Sequence, residues 1–390
     1  MASKVLVTGG AGFAGNHLIE LLSREGIDLV AWHRPGGAPP GPVPPAEDLS
    51  RAGDLPGVGP SKVPSGSSGT TRVTWEAVDL LDAGMVRDAI SRLRPPAVYH
   101  CAGAAHVGRS WDKTTSTFAI NVRGTHHLLE GLRLARLDSR VFIPSSAMVY
   151  AGANDALSED RALLPASPYA LSKLAQELLG GRAIGGGLQV TIARAFNHLG
   201  PRQDPWFAAS GFARRIADIE AGRWEPEIAV GNLEARRDLT DVRDTVRAYH
   251  LIGTLGRLGR PYNVCSGRAV PIRDLLDMLL ARARVPIRVR IDPARYRPND
   301  TPLLLGNPSR IREELGWAPA IPLERTVDDL LEYWIKGKGR RENLEYGRSR
   351  SEGGHYLGAI RYSASSFAPC RSSVTSSMSD RLLRAIRAST

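Results

Sequence analysis

With 390 residues, 42% of them hydrophobic and 23% charged, the chain is long enough for one or two domains around a large core. No apolar run approaches the ~20 residues that span a bilayer, which sets aside a membrane-spanning class. The net charge of +11 is uneven: residues 336–390 hold eleven Lys and Arg against four Asp and Glu, so a basic groove for nucleic acid is not indicated in the body.

Three cysteines, Cys101, Cys265 and Cys370, are odd in number and far apart. That usage predicts a reducing, cytoplasmic setting, with no disulfide framework and no metal site. Met1-Ala2-Ser3-Lys4-Val5 leads straight into a strand pattern without the features of a signal peptide.

Residues 4–8 form a short β-branched run, read as a buried strand. It enters Gly9-Gly10-Ala11-Gly12-Phe13-Ala14-Gly15 and then a helical pattern carrying Leu18, Ile19, Leu21 and Leu22. Strand, glycine loop, helix is the context of a dinucleotide fingerprint. Gly9 serves the tight turn, Gly12 a close approach to pyrophosphate, and Gly15 helix–strand packing. The second strand, residues 28–32, is followed by His33-Arg34 instead of the acid that usually meets an NAD ribose. A guanidinium suits a 2′-phosphate, so Arg34 points to NADP, with NAD as the alternative.

Residues 35–70 are rich in Pro, Gly and Ser and read as a flexible insertion. Alternation then resumes. A strand over 73–78 ends in Asp79-Leu80, with Asp79 expected at the adenine. A helix spans 83–93, and a strand over 97–101 opens into Ala102-Gly103-Ala104, small enough for a cofactor to cross. A long helix over about 115–135 contains Asn121. A strand over 141–144 runs into Ser145-Ser146-Ala147-Met148-Val149-Tyr150.

One loop later stands Ser167-Pro168-Tyr169-Ala170-Leu171-Ser172-Lys173. Ser and Pro mark a helix start, so Tyr169 and Lys173 share one face, a turn apart. An ammonium there favours the phenolate and fits Tyr169 for proton exchange with a substrate oxygen, as reversible hydride transfer requires. Ser146, at a strand end, could bond the same oxygen. A sixth strand covers 189–195. The β-α-β order implies a doubly wound parallel α/β sheet of Rossmann type with its site along the carboxyl ends of the strands.

Together the glycine loop, Asp79-Leu80, the Ser146–Tyr150 segment and the Tyr169/Lys173 pair resemble the extended short-chain dehydrogenase/reductase family, in its nucleotide-sugar-modifying branch. The likeness covers residues 1 to about 335. Asn197-His198-Leu199-Gly200-Pro201-Arg202-Gln203, Asn232-Leu233-Glu234-Ala235-Arg236-Arg237-Asp238 and Arg295-Tyr296-Arg297-Pro298 are similar to the GDP-sugar enzymes, the GDP-mannose 4,6-dehydratases and the GDP-4-keto-6-deoxy-mannose reductases.

The resemblance implies a catalytic set of Ser146, Tyr169 and Lys173. It implies cofactor contacts from Gly9, Gly12, Phe13, Ala14, Gly15, Arg34, Asp79, Leu80, Ala102, Gly103, Ala104, Asn121, Tyr169, Lys173 and His198. It places the sugar-nucleotide diphosphate at Asn197, Arg237 and Arg297, with Arg214 and Arg215 at the phosphates or the guanosine end. It further implies a dinucleotide domain over 1–195, a smaller α/β substrate lobe over 196–335 with some segments returning to the sheet, and a homodimer or homotetramer. Residues 336–390 read as a basic disordered tail that could form a short helix over 379–387. Trp317, Tyr333 and Trp334 are expected as packing anchors of the lobe.

One position departs from the dehydratases. Where they keep an acid for the C5 proton and the C6 hydroxyl, this chain has Met148, a thioether with nothing to titrate. The expectation is therefore an NADP-dependent reductase of a GDP-linked 4-keto-6-deoxy hexose. A dehydratase or epimerase on the same scaffold is the first alternative, and a non-catalytic dinucleotide sensor the second.

Overall fold

Apolar residues on both faces of short strands require covering layers on both sides of a sheet. Such a sheet is what the computed structural model contains. It describes residues 4–37, 72–296 and 301–337. Nearly all of the expected tail and of the 35–70 insertion, the tail's short helix and Arg297 lie outside the described residues.

The elements follow in chain order. The first half holds β1 (Val5–Thr8), α1 (Phe13–Arg24), β2 (Leu29–His33), β3 (Val73–Ala77), α2 (Ala83–Leu93) and β4 (Ala97–His100). Next come α3 (Arg109–Asp112), α4 (Thr114–Phe118), α5 (Gly124–Leu134), β5 (Arg140–Ser146), α6 (Pro168–Gly185) and β6 (Gln189–Ala195). The second half has β7 (Asn197–Leu199), α7 (Ala208–Glu220), β8 (Glu227–Val230), β9 (Arg236–Asp241), α8 (Val242–Leu255), β10 (Pro261–Val264) and β11 (Ala269–Pro271). It ends with α9 (Ile272–Leu280), β12 (Arg288–Ile291), β13 (Leu303–Leu304), α10 (Ser309–Leu315) and α11 (Leu323–Ile335).

Seven strands form one parallel sheet in the order β10-β6-β5-β4-β1-β2-β3. The order reverses between β1 and β4, the switch point at which open α/β sheets bind ligands. Neighbouring residues of a strand face opposite sides. Val7, Ala31, Tyr99 and Phe142 pack under α1 and α8, while Leu6, Val30, Val98 and Val141 pack under α2 and α5. A second set of strands gathers on β9: β11 pairs with it antiparallel, β7 and β13 parallel. The pair β8–β12 and helices α7, α9 and α11 enclose a separate apolar cluster.

Two expectations need revision. The long helix over 115–135 is not continuous: α4 passes through a π-helical turn, Ala119–Arg123, into α5. Asn121 sits in that turn, fully buried, and its side chain bonds outside the helix, to Ala104 and Ser172. Trp317 anchors the main sheet instead of the lobe. It packs with Tyr249, Tyr262 and Ile311, and its Nε1 donates to Asp244 O at 3.1 Å. Trp334 and Tyr333 do pack in the α7–α9–α11 cluster. No helix among the described residues is long and apolar enough to cross a membrane.

Candidate active site

The glycine loop is shaped by contacts that admit no side chain. Gly9 has φ +66°, and a Cβ there would stand 2.5 Å from Ala102 Cα; one on Gly15 would stand 2.3 Å from Gly9 O. Gly12 caps α1 with no side chain bonded to the first turn, so that helix start is left to an anion. These features fit a dinucleotide pyrophosphate. Phe13 opens α1 and stacks on His198, centroids 5.8 Å apart with planes at 10°. Burial lowers the pKa of His198, keeping it a neutral ring behind the loop.

The remaining cofactor positions lie at the sheet's carboxyl edge. Arg34 is exposed directly after β2. Asp79 follows β3, and its carboxylate accepts from Leu81 N at 2.9 Å; the cap of α2 is Asp82, not Asp79. Leu80 O accepts from His127 Nδ1 at 2.8 Å. Ala102, Gly103 and Ala104 follow β4. A Cβ on Gly103 would meet Asn121 Oδ1 at 2.9 Å and Lys173 Nζ at 3.7 Å. Asn121 Oδ1 accepts from Ala104 N at 2.7 Å, and its Nδ2 donates to Ser172 Oγ at 2.8 Å. Its side chain thus holds the loop and α6 in place.

A buried chain that sequence reasoning missed supports this edge. Thr125 Oγ1 donates to Asn121 O at 2.6 Å and accepts from Gln176 Nε2 at 2.6 Å. Its one proton is spent, so at 2.8 Å it accepts from His100 Nε2. His100 Nδ1 is then the acceptor, at 2.8 Å, of the Thr8 hydroxyl, whose oxygen accepts from Ala102 N at 3.3 Å. His100 is 1% exposed; burial, aided by Lys173, lowers its pKa to about 3. One neutral tautomer thus ties the ends of β1 and β4 to the turn holding Asn121. The available signal was a histidine closing an otherwise apolar strand.

The catalytic candidates come from two neighbouring elements. Ser146 is the last residue of β5, and its Oγ accepts from Met148 N at 3.2 Å. Ser167 caps α6 by accepting from Ala170 N at 3.1 Å, with Pro168 in the first turn. The helix therefore begins as the sequence required. Tyr169, Lys173 and Glu177 fall on its buried face. Tyr169 N donates to Ser110 Oγ at 3.1 Å, a second contact not anticipated.

The electrostatics differ from the expectation in one respect. Burial raises the Tyr169 phenol above its ordinary value, and the Ser146 hydroxyl only opposes that rise. The residue is a protonated phenol at neutral pH, suited to donate a proton. Lys173 Nζ donates to Pro144 O at 2.9 Å, and burial lowers its pKa to about 8. The attraction of Glu177 opposes that fall, but Glu177 is itself committed to Arg194, with Nη2–Oε2 2.8 Å. Burial pushes the Cys101 thiol up to about 12, so it is neutral.

The residues expected at the sugar nucleotide are less gathered. Asn197 is exposed at the start of β7, opposite Leu239 of β9. Arg237 Nη1 donates to Thr301 O at 2.7 Å. Arg215 lies 3.9 Å over the ring of Trp224; burial lowers its pKa and Arg295 adds to the effect, so two cations approach there. Arg214 has different neighbours. It leans on Trp334, 5.6 Å from the ring, and lies 3.6 Å from Asp218. Met148, half-buried, packs against the apolar cluster of Ala147, Tyr150, Leu157, Phe196, Cys265 and Leu304, the setting of the position that departs from the dehydratases.

A family model described as GDP-mannose 4,6 dehydratase matches residues 61–330. The GDP-6-deoxy-D-mannose reductase of Pseudomonas aeruginosa is 31% identical over 338 residues, 86% of this chain and 98% of that protein. The UDP-glucose 4-epimerase of Homo sapiens is 29% identical over 358 residues, covering 85% and 96% of the two. Among solved structures, RMD from Pseudomonas aeruginosa complexed with NADPH superposes with a TM-score of 0.69 at 27% identity, covering 86% of this chain and 100% of the other.

Proposed function

Because the chain belongs to the GDP-mannose 4,6-dehydratase family of NAD(P)-dependent extended short-chain dehydrogenases/reductases, we propose that it is an NADPH-dependent reductase of a GDP-linked 4-keto-6-deoxy hexose. The observation that carries this reading is Met148 in its apolar setting. Losing water from C5 and C6 calls for an acid–base group at that place, and a packed thioether supplies none. Reduction of a C4 carbonyl makes no such demand.

Bound NADPH supplies the hydride. Tyr169 gives its proton to the C4 oxygen, and Ser146 orients that oxygen by a hydrogen bond. Lys173 holds positive charge beside the site and replenishes the phenol. The carbonyl becomes an alcohol as one hydride and one proton are added. On the substrate side Arg215, Arg237 and Arg297 meet the diphosphate or the base, because forked donors of fixed charge suit that anion. Residues 1–195 then serve the dinucleotide and 196–335 the sugar nucleotide.

The test is a panel of GDP- and UDP-linked 4-keto-6-deoxy sugars with NADPH, read by mass. Gain of two hydrogens by a GDP-linked compound is the expected result; activity confined to UDP-linked compounds would remove the GDP assignment. Cofactor choice is a separate expectation. NADPH should bind more tightly than NADH, and Arg34→Asp should narrow or invert the ratio, measured by titration of tryptophan fluorescence. A wild type that prefers NADH would show that Arg34 does not read the 2′-phosphate.

A further inference from the structure

Two loops meet beside the start of α6. One follows β4 and runs into α3; the other joins β7 to α7. The His106 ring of the first stacks on Phe207 of the second, centroids 4.4 Å apart with planes at 23°. His106 Nε2 is 3.5 Å from Asp204 Oδ2. Three residues on, the Arg109 guanidinium lies 3.9 Å over the Trp206 ring. An exposed polar contact of this kind alone contributes little. Here it acts with an aromatic stack and a cation–π contact between the same two segments.

Each loop is fastened to a different part of the site. His106 O accepts from Ser110 N at 3.1 Å, and Ser110 Oγ accepts from Tyr169 N at 3.1 Å. Phe207 is the residue from which α7, with Arg215, begins. Asp204 Oδ1 accepts from Trp206 N at 2.9 Å, shaping that turn. Arg202 reaches from the same loop to α1, donating to Glu20 Oε2 at 2.8 Å, and holds an unfavourable φ of +72° in doing so.

We propose that His106 is a positioning residue. It joins the loop that leads into the substrate-recognising helix α7 to the loop that docks the backbone of Tyr169. Engagement of a nucleotide sugar at α7 is thereby transmitted to the phenol. The proposal rests on the reading of Tyr169 as proton donor and of α7 as a substrate helix.

The test uses the full chain carrying His106→Ala, with Asp204→Asn as a milder variant that keeps an oxygen for Trp206 N. Hydrogen exchange of the Tyr169 amide is followed without substrate, and kcat and KM are measured with the GDP-linked 4-keto-6-deoxy sugar. For His106→Ala, exchange should quicken and kcat should fall, each by about tenfold, with NADPH affinity kept. The Asp204→Asn effects should be smaller. Unchanged Tyr169 exchange would overturn the coupling, and so would faster exchange with kcat intact. If the wild type turns over no GDP-linked sugar, the functional reading fails, and the exchange arm alone decides whether His106 holds Tyr169.

Discussion

Replacing Tyr169 by Phe is expected to lower turnover by a factor on the order of 10²–10⁴ with dinucleotide affinity kept. The substitution keeps the ring in its buried place and removes only the hydroxyl. A phenol is protonated at neutral pH, and burial raises this one further. The Ser146 hydroxyl, at the end of β5, opposes the rise. Without the Tyr169 hydroxyl the developing alkoxide must take its proton from water. Turnover within a few-fold of wild type would remove Tyr169 from the reaction. A loss of cofactor affinity equal to the loss of turnover would mark it as a binding residue instead.

Lys173→Met should separate activity from stability. Turnover should fall on the order of 10²–10³-fold, as for loss of a charged group at the reacting centre. Melting temperature at pH 7 should be no lower than that of the wild type. The ammonium is buried, and that burial lowers its pKa from 10.5 to about 8. The charged form is thus disfavoured in the folded protein, and methionine removes the cost while filling similar space. The bond to Pro144 O is lost, which limits the gain. The sign of the pH effect follows. Between about 8 and 10.5 the unfolded chain keeps the lysine proton that the folded chain has released, so stability gains from rising pH there. The wild type should therefore gain on the variant across that window. A variant much less stable than the wild type at pH 7, or a difference that does not change with pH, would contradict the assignment.

What was legible in the sequence were features with a local cause. The glycines are fixed by backbone approach, the start of α6 by Ser167 and Pro168, and the parallel sheet by strands apolar on both faces. What was not legible depends on partners distant in the chain. Thr8, His100, Thr125 and Gln176 each look like an ordinary polar residue, and their meaning comes from meeting one another in the buried layer. The π-helical turn at Asn121 could not be read from a helical period that continues through it. Arg214 and Arg215 are adjacent and look alike, yet one lies against Trp334 and the other against Trp224, because successive helix positions point about 100° apart. The direction in which the Tyr169 phenol shifts was not legible, because sequence spacing shows the neighbouring lysine but not the depth of burial.

Reduction and dehydration on this scaffold are separated most directly by one paired incubation. In one tube the purified protein receives GDP-mannose and NADP⁺, and the mixture is searched by mass for a product lighter by one water. In the other it receives the GDP-linked 4-keto-6-deoxy hexose and NADPH, and cofactor oxidation is followed by absorbance. With Met148 packed among apolar side chains and Tyr169 protonated, oxidation in the second tube and an unchanged sugar in the first are expected. Efficient loss of water in the first tube, with no oxidation in the second, would contradict the reductase account.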